Sequence, residues 1–117
     1  MTSTNVWMYR QGLRTDVTRD VVGFDVEATD GHIGKVDNAS TETSRDYLVV
    51  DTRFWIFGEK RLVPAGVVSQ IDYPRRQLFV AMTKDQIKSA PDYDEHMRPE
   101  DEAYYDKYAS YYGRYGF

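Results

Sequence analysis

The residues best equipped for chemistry in this chain are its aromatics. Ten tyrosines, two tryptophans and five phenylalanines stand among 117 residues, and eight of these aromatics form two clusters. Between Thr52 and Arg61 the sequence interleaves Phe54, Trp55 and Phe57 with Arg53, Lys60 and Arg61. Such a run suits base stacking beside phosphates or a tryptophan anchor in a protein interface. It equally suits rings packed on a core with the cations left in water. Near the end of the chain, Tyr104, Tyr105, Tyr108, Tyr111 and Tyr112 fall within one arc of about 120° on a helix. The helix they define can pack on its own domain, dock on a partner or a second copy, or order only when engaged. Trp55, Phe57 and the five tyrosines are therefore the candidate interface residues.

Catalytic patterns are missing. The sequence holds no nucleophile elbow, phosphate-binding loop, dinucleotide fingerprint or zinc-protease motif. Without cysteine there is no disulfide, thiolate metal site or thiol nucleophile. His32 stands in a turn between Gly31 and Gly34, and Asp25, Glu27, Asp30 and Asp51 read as solvated charges. Asp92, Asp94, Glu95 and His96 are close in sequence but lack the glycine and spacing of a calcium loop. No enzyme activity, cofactor or specific metal site is expected.

Charge narrows the partners. Residues 1–91 carry twelve basic and twelve acidic side chains, so the formal charge of −4 arises wholly from residues 92–117. A neutral body with an acidic end is a poor match for nucleic acid. Mean hydropathy is −0.65 and no apolar run is long enough to insert in a membrane. The first residues, MTSTNVWMYRQG, lack the apolar stretch of a secretory signal, so a cytoplasmic protein is expected.

The elements that must position these residues are short strands. Val22 to Ala28 alternates apolar with polar, and Asp30-Gly31 marks a hairpin into a strand over about Ile33 to Ala39. Further strands are read at Tyr47–Asp51, Arg61–Val63, Val67–Asp72 and around Leu78, Val80 and Met82. Six strands joined by tight turns predict a small antiparallel barrel, closed or nearly so. Thr83-Lys84-Asp85-Gln86 is a capping box that opens a short helix across one mouth, stopped before Pro91. Pro99, three acids and Gly113 frame the tyrosine helix, about 99–112. The organisation expected is an N-terminal extension (1–19), a barrel (20–94) and an acidic, tyrosine-rich segment (95–117).

The segments Asp30 to Val36 (DGHIGKV), VVDT at 49–52, WIFGEK at 55–60 and LVPAG at 62–66 together resemble the PRC-barrel domain. That family includes the cytoplasmic domain of the photosynthetic reaction-centre H subunit and the C-terminal domain of RimM. The resemblance covers about Asp20 to Asp94, and the whole chain looks like the small stand-alone PRC-barrel proteins of actinobacteria. Arg53 departs from the pattern, standing where glycine is expected. The resemblance implies a six-stranded, SH3-like barrel that acts as a non-catalytic platform for other macromolecules. The expected function is an adaptor that binds another protein or itself, most simply as a homodimer. The alternatives are an RNA- or ribosome-associated assembly factor and a small-ligand site in an aromatic cleft beneath the tail.

Overall fold

In the computed structural model, described over residues 6–10, 13, 21–40, 45–52, 60–91, 93 and 101–117, β-forming segments alternate with tight turns. The strands are β1 (Asp25–Ala28), β2 (Gly31–Ser40), β3 (Tyr47–Asp51), β4 (Lys60–Pro64), β5 (Val68–Asp72) and β6 (Gln77–Val80). Two helices follow, α1 (Lys84–Lys88) and α2 (Glu102–Gly113). The strands form one sheet in the order β4-β3-β2-β1-β6-β5.

Two features of the expected barrel are corrected. The sheet is mixed, because β1 and β6 run parallel, Asp25 opposite Gln77 and Glu27 opposite Phe79. The connection that parallel pairing requires is supplied by all the chain between them. Nor does a closing ladder join the ends among the described residues: β4 and β5 lie at opposite ends of the sheet. They are linked only by Pro64 and a single 3-10 turn, Ala65–Val67. That short link draws the two ends together at one corner.

The β1–β2 hairpin turns at Asp30-Gly31, and its ladder slips one residue between Val26 and Glu27. Asp30 does more than turn the chain, since its Oδ1 accepts the Lys84 amide at 2.9 Å and so caps α1 from outside. The Thr83–Gln86 box forms in both directions, Gln86 N donating to Thr83 Oγ1 at 3.2 Å and Thr83 N to Gln86 Oε1 at 2.9 Å. Ile87 is thereby turned inward and fully buried, in the same core cluster as Leu48, Leu62, Leu78 and Met82.

Two glycines are fixed by close approach of backbone. A Cβ at Gly34 would lie 2.1 Å from the Asp51 carbonyl oxygen on β3, and one at Gly66 would lie 2.8 Å from the Val6 carbonyl. The second reports that the N-terminal segment is tied to the corner turn, where Gly66 N donates to Val6 O at 2.7 Å. Gly34→Ala is expected to push β2 off β3 at a cost on the order of 3 kcal/mol, measured by urea unfolding.

The outer face of the sheet is a ladder of charged and polar pairs. Lys35 Nζ meets Asp25 at 2.7 Å, His32 Nδ1 meets Glu27 at 2.6 Å and Lys60 Nζ meets Asp37 at 3.1 Å. The inner face carries the apolar residues and is covered by α2.

Candidate docking surface

Helix α2 is fixed at its start by Asp101, whose Oδ1 accepts the Tyr104 amide at 3.2 Å. It therefore begins after Pro99, which lies outside the described residues, and runs through Gly113 to a cap at Arg114. The five tyrosines share one face as their spacing demands, and that face lies on the protein's own core. Tyr108 and Tyr112 are fully buried, and Tyr104, Tyr105 and Tyr111 keep under a tenth of their surface.

Each phenol has a place. Tyr112 donates to the Leu62 carbonyl of β4 at 2.9 Å, and Tyr111 donates to the Gln86 carbonyl of α1 at 2.6 Å. Tyr104 and Tyr108 share a hydrogen bond at 3.0 Å, and Tyr115 reaches Tyr111 at 3.5 Å. The rings meet edge to face: Tyr104 touches Tyr105 and Tyr108, with centroids 5.2 and 5.1 Å apart, and Tyr111 touches Tyr112 at 5.3 Å. Trp7 completes the cover, its ring edge-on to Tyr47 and Tyr105 at 6.1 and 5.9 Å.

Two arginines hold this arrangement. Arg45, before β3, lies 4.3 Å from the Tyr105 ring centroid and reaches Glu102 at 2.6 Å. Arg61 on β4 is 6% exposed and donates from Nη1 to the Ala90 carbonyl at 3.4 Å. Sequence alone places Arg61 among solvated cations; the structure puts it under α2, facing Tyr108 and Tyr112. The Arg45 role was missed because nothing in its neighbourhood marks a partner 57 residues away. Arg45→Ala is expected to cost about 1 kcal/mol, mostly from the lost ring contact, since Glu102 is largely solvated and its ion pair is screened. A thermal melt of the variant reads this directly.

Burial sets the proton affinities. Loss of water pushes the Tyr108 and Tyr112 phenols far above their usual range, and the nearby Arg61 guanidinium only partly offsets this. Burial also raises Tyr105, helped by its bond to Tyr47, and lifts Tyr111 to about 12. Tyr9 is raised as well, first by burial and then by the Asp46 carboxylate.

The tyrosine face is thus spent inside the molecule. The homodimer expectation rests on aromatic area in excess of what a barrel needs, and that area covers the protein's own core. A groove of about 520 Å³ lies on the outer flank of the helix, between Pro91 and the stripe Ala103, Lys107, Ser110 and Arg114. Trp55 and Phe57 fall outside the described residues, as do Asp92, Asp94, Glu95 and His96. Among the described residues no cluster of three metal-ligating side chains occurs, and no helix is long and apolar enough to cross a membrane.

No family model and no curated protein matches the chain. A solved structure does: a putative 16S ribosomal RNA processing protein, RimM, from Pseudomonas aeruginosa, with a TM-score of 0.53 and 21% identity. The match takes in 67% of this chain and 50% of the neighbour's. At that identity the likeness is one of fold, and it agrees with a mostly-β domain of the kind RimM contains.

Proposed function

We propose that the chain is a PRC-barrel-type docking module without catalytic activity, that it works in the cytoplasm, and that its partner is another protein. One observation carries the choice of partner. The lysines of the outer sheet face, Lys35 and Lys60, are each matched by a carboxylate within 3.1 Å. Arg45 and Arg61 are committed to the core, Arg75 lies beside Asp72, and Arg76 sits over the Phe24 ring. A sheet face whose described cations are paired or stacked in this way offers little free positive charge to a phosphate backbone, which binds by releasing counterions. Opposed charges in a fixed ladder suit instead the polar rim of a protein interface. With the tyrosines buried, Trp55 and Phe57 are the aromatic anchors left to serve as its centre.

The second reading takes its support from the neighbour, described as a ribosomal RNA processing protein. Fold alone is a weak guide to function, so RNA binding stands behind protein docking. Anisotropy of a labelled 16S ribosomal RNA fragment, titrated at two salt concentrations, separates the two. The protein-docking reading predicts binding no tighter than the non-specific level, roughly 10⁻⁴ to 10⁻⁶ M. Tight binding that weakens steeply with salt and is lost in Arg75→Ala would replace it with the RNA reading.

A further inference from the structure

All ten tyrosines are placed in the structure, and only Tyr115 is exposed, with 40% of its surface in water. It also stands at the end of a row of aromatic rings. From Trp7 the path steps to Tyr105 at 5.9 Å, to Tyr104 at 5.2 Å and to Tyr108 at 5.1 Å. Tyr112 follows one turn later on the same face, then Tyr111 at 5.3 Å and Tyr115 at 5.4 Å. The chain contains no cysteine to intercept an oxidising equivalent.

We propose that Tyr115 is an oxidative modification site, the outlet through which one-electron oxidation of the aromatic path leaves the protein as a dityrosine bond between two copies. The reason is where the proton can go. A tyrosine that loses an electron must also lose its phenolic proton. Tyr112 and Tyr111 point theirs at the Leu62 and Gln86 carbonyls, and Tyr104 and Tyr108 share one hydrogen bond in which one phenol donates to the other. Amide carbonyls and phenols are poor bases, so a radical is not held on a ring whose proton points at one of them. Tyr115 reaches the Tyr111 hydroxyl only at 3.5 Å, and with 40% of its surface in water it can pass its proton to solvent instead. Its neighbours leave room for a second ring, because Gly113 and Gly116 have open space where a side chain would stand.

The balance is simple. Each of two one-electron oxidants takes one electron, and each Tyr115 gives up one electron and its phenolic proton. The two phenoxyl radicals then couple through ring carbons, and each ring rearomatises by moving its carbon-bound hydrogen to oxygen. The cross-linked pair is lighter than two separate chains by two hydrogens.

The test uses the azide radical, an oxidant selective for indole, on the full chain carrying Trp55→Phe, so that Trp7 is the only entry point. Pulse radiolysis is expected to show indolyl absorbance decaying as phenoxyl absorbance grows, at a rate independent of protein concentration. Peptide mapping should then find Tyr115 joined to Tyr115. Tyr115→Phe should abolish the covalent dimer, and Tyr111→Phe, which leaves Tyr115 exposed but removes the last relay, should cut its yield several-fold. Transfer that depends on concentration, cross-links that map elsewhere, or a Tyr111→Phe yield equal to the parent's would each overturn the proposal. The last result would make Tyr115 merely an exposed phenol oxidised directly.

Discussion

Tyr112→Ala is expected to lower unfolding free energy by about 3–5 kcal/mol, the cost of removing a large buried ring and leaving the space it filled. The ring is fully buried at the centre of the helix–sheet contact, and its hydroxyl is tied to Leu62 of β4. A domain of this size has roughly 5–15 kcal/mol in all, so the variant stands at the edge of folding. Tyr112→Phe supplies the comparison. It keeps the ring and loses one hydrogen bond, and is expected to cost about 1 kcal/mol. Urea unfolding of both, followed by circular dichroism, checks the pair. If α2 were a tail resting loosely on the surface, the two substitutions would be equally mild.

Alkali should unfold the protein abruptly. The phenols of Tyr9, Tyr105, Tyr108, Tyr111 and Tyr112 hold their protons more tightly in the folded protein than at the ordinary value of 10.0. The unfolded chain therefore releases those protons first. Stability from these groups is intact below pH 10 and falls above it, by about 1.4 kcal/mol per pH unit for each group, until that group's folded value is reached. For Tyr111 the loss spans the interval from 10 to about 12, and for the others it extends further. With several groups acting together, a single cooperative step is expected, with phenolate absorbance and loss of circular dichroism rising at the same pH. Smooth phenolate titration centred at 10, with the fold retained, would show that the tyrosines are open to solvent.

Much of the fold was legible because its signals are local. The Asp30-Gly31 hairpin, the Thr83–Gln86 box and the alternation of β3 each rest on neighbours in sequence. The direction of pairing between β1 and β6 does not, since alternation states which residues face inward and says nothing about which strand lies alongside. The same limit applies to the site. Helical spacing gathers five tyrosines on one face, yet a face that meets the protein's own sheet and one that meets a partner share one pattern. What decides between them is distant in sequence: Leu62 and Gln86 as acceptors, Arg45 at one end and Trp7 laid across the top. Arg61 shows the reverse case, a cation whose sequence context points to solvent while β4 turns it inward.

The central claim is that α2 is part of the core. Native-state hydrogen exchange read by mass spectrometry tests it most directly, because amides protected only by local structure exchange far faster than those needing global unfolding. The account predicts that amides of Tyr108 to Tyr112 exchange as slowly as those of Leu48 to Val50 in β3, and speed up together with them in Tyr112→Ala. Exchange of α2 that is orders of magnitude faster than β3 in the intact protein would contradict it, and would return the tyrosine face to the surface as a docking element.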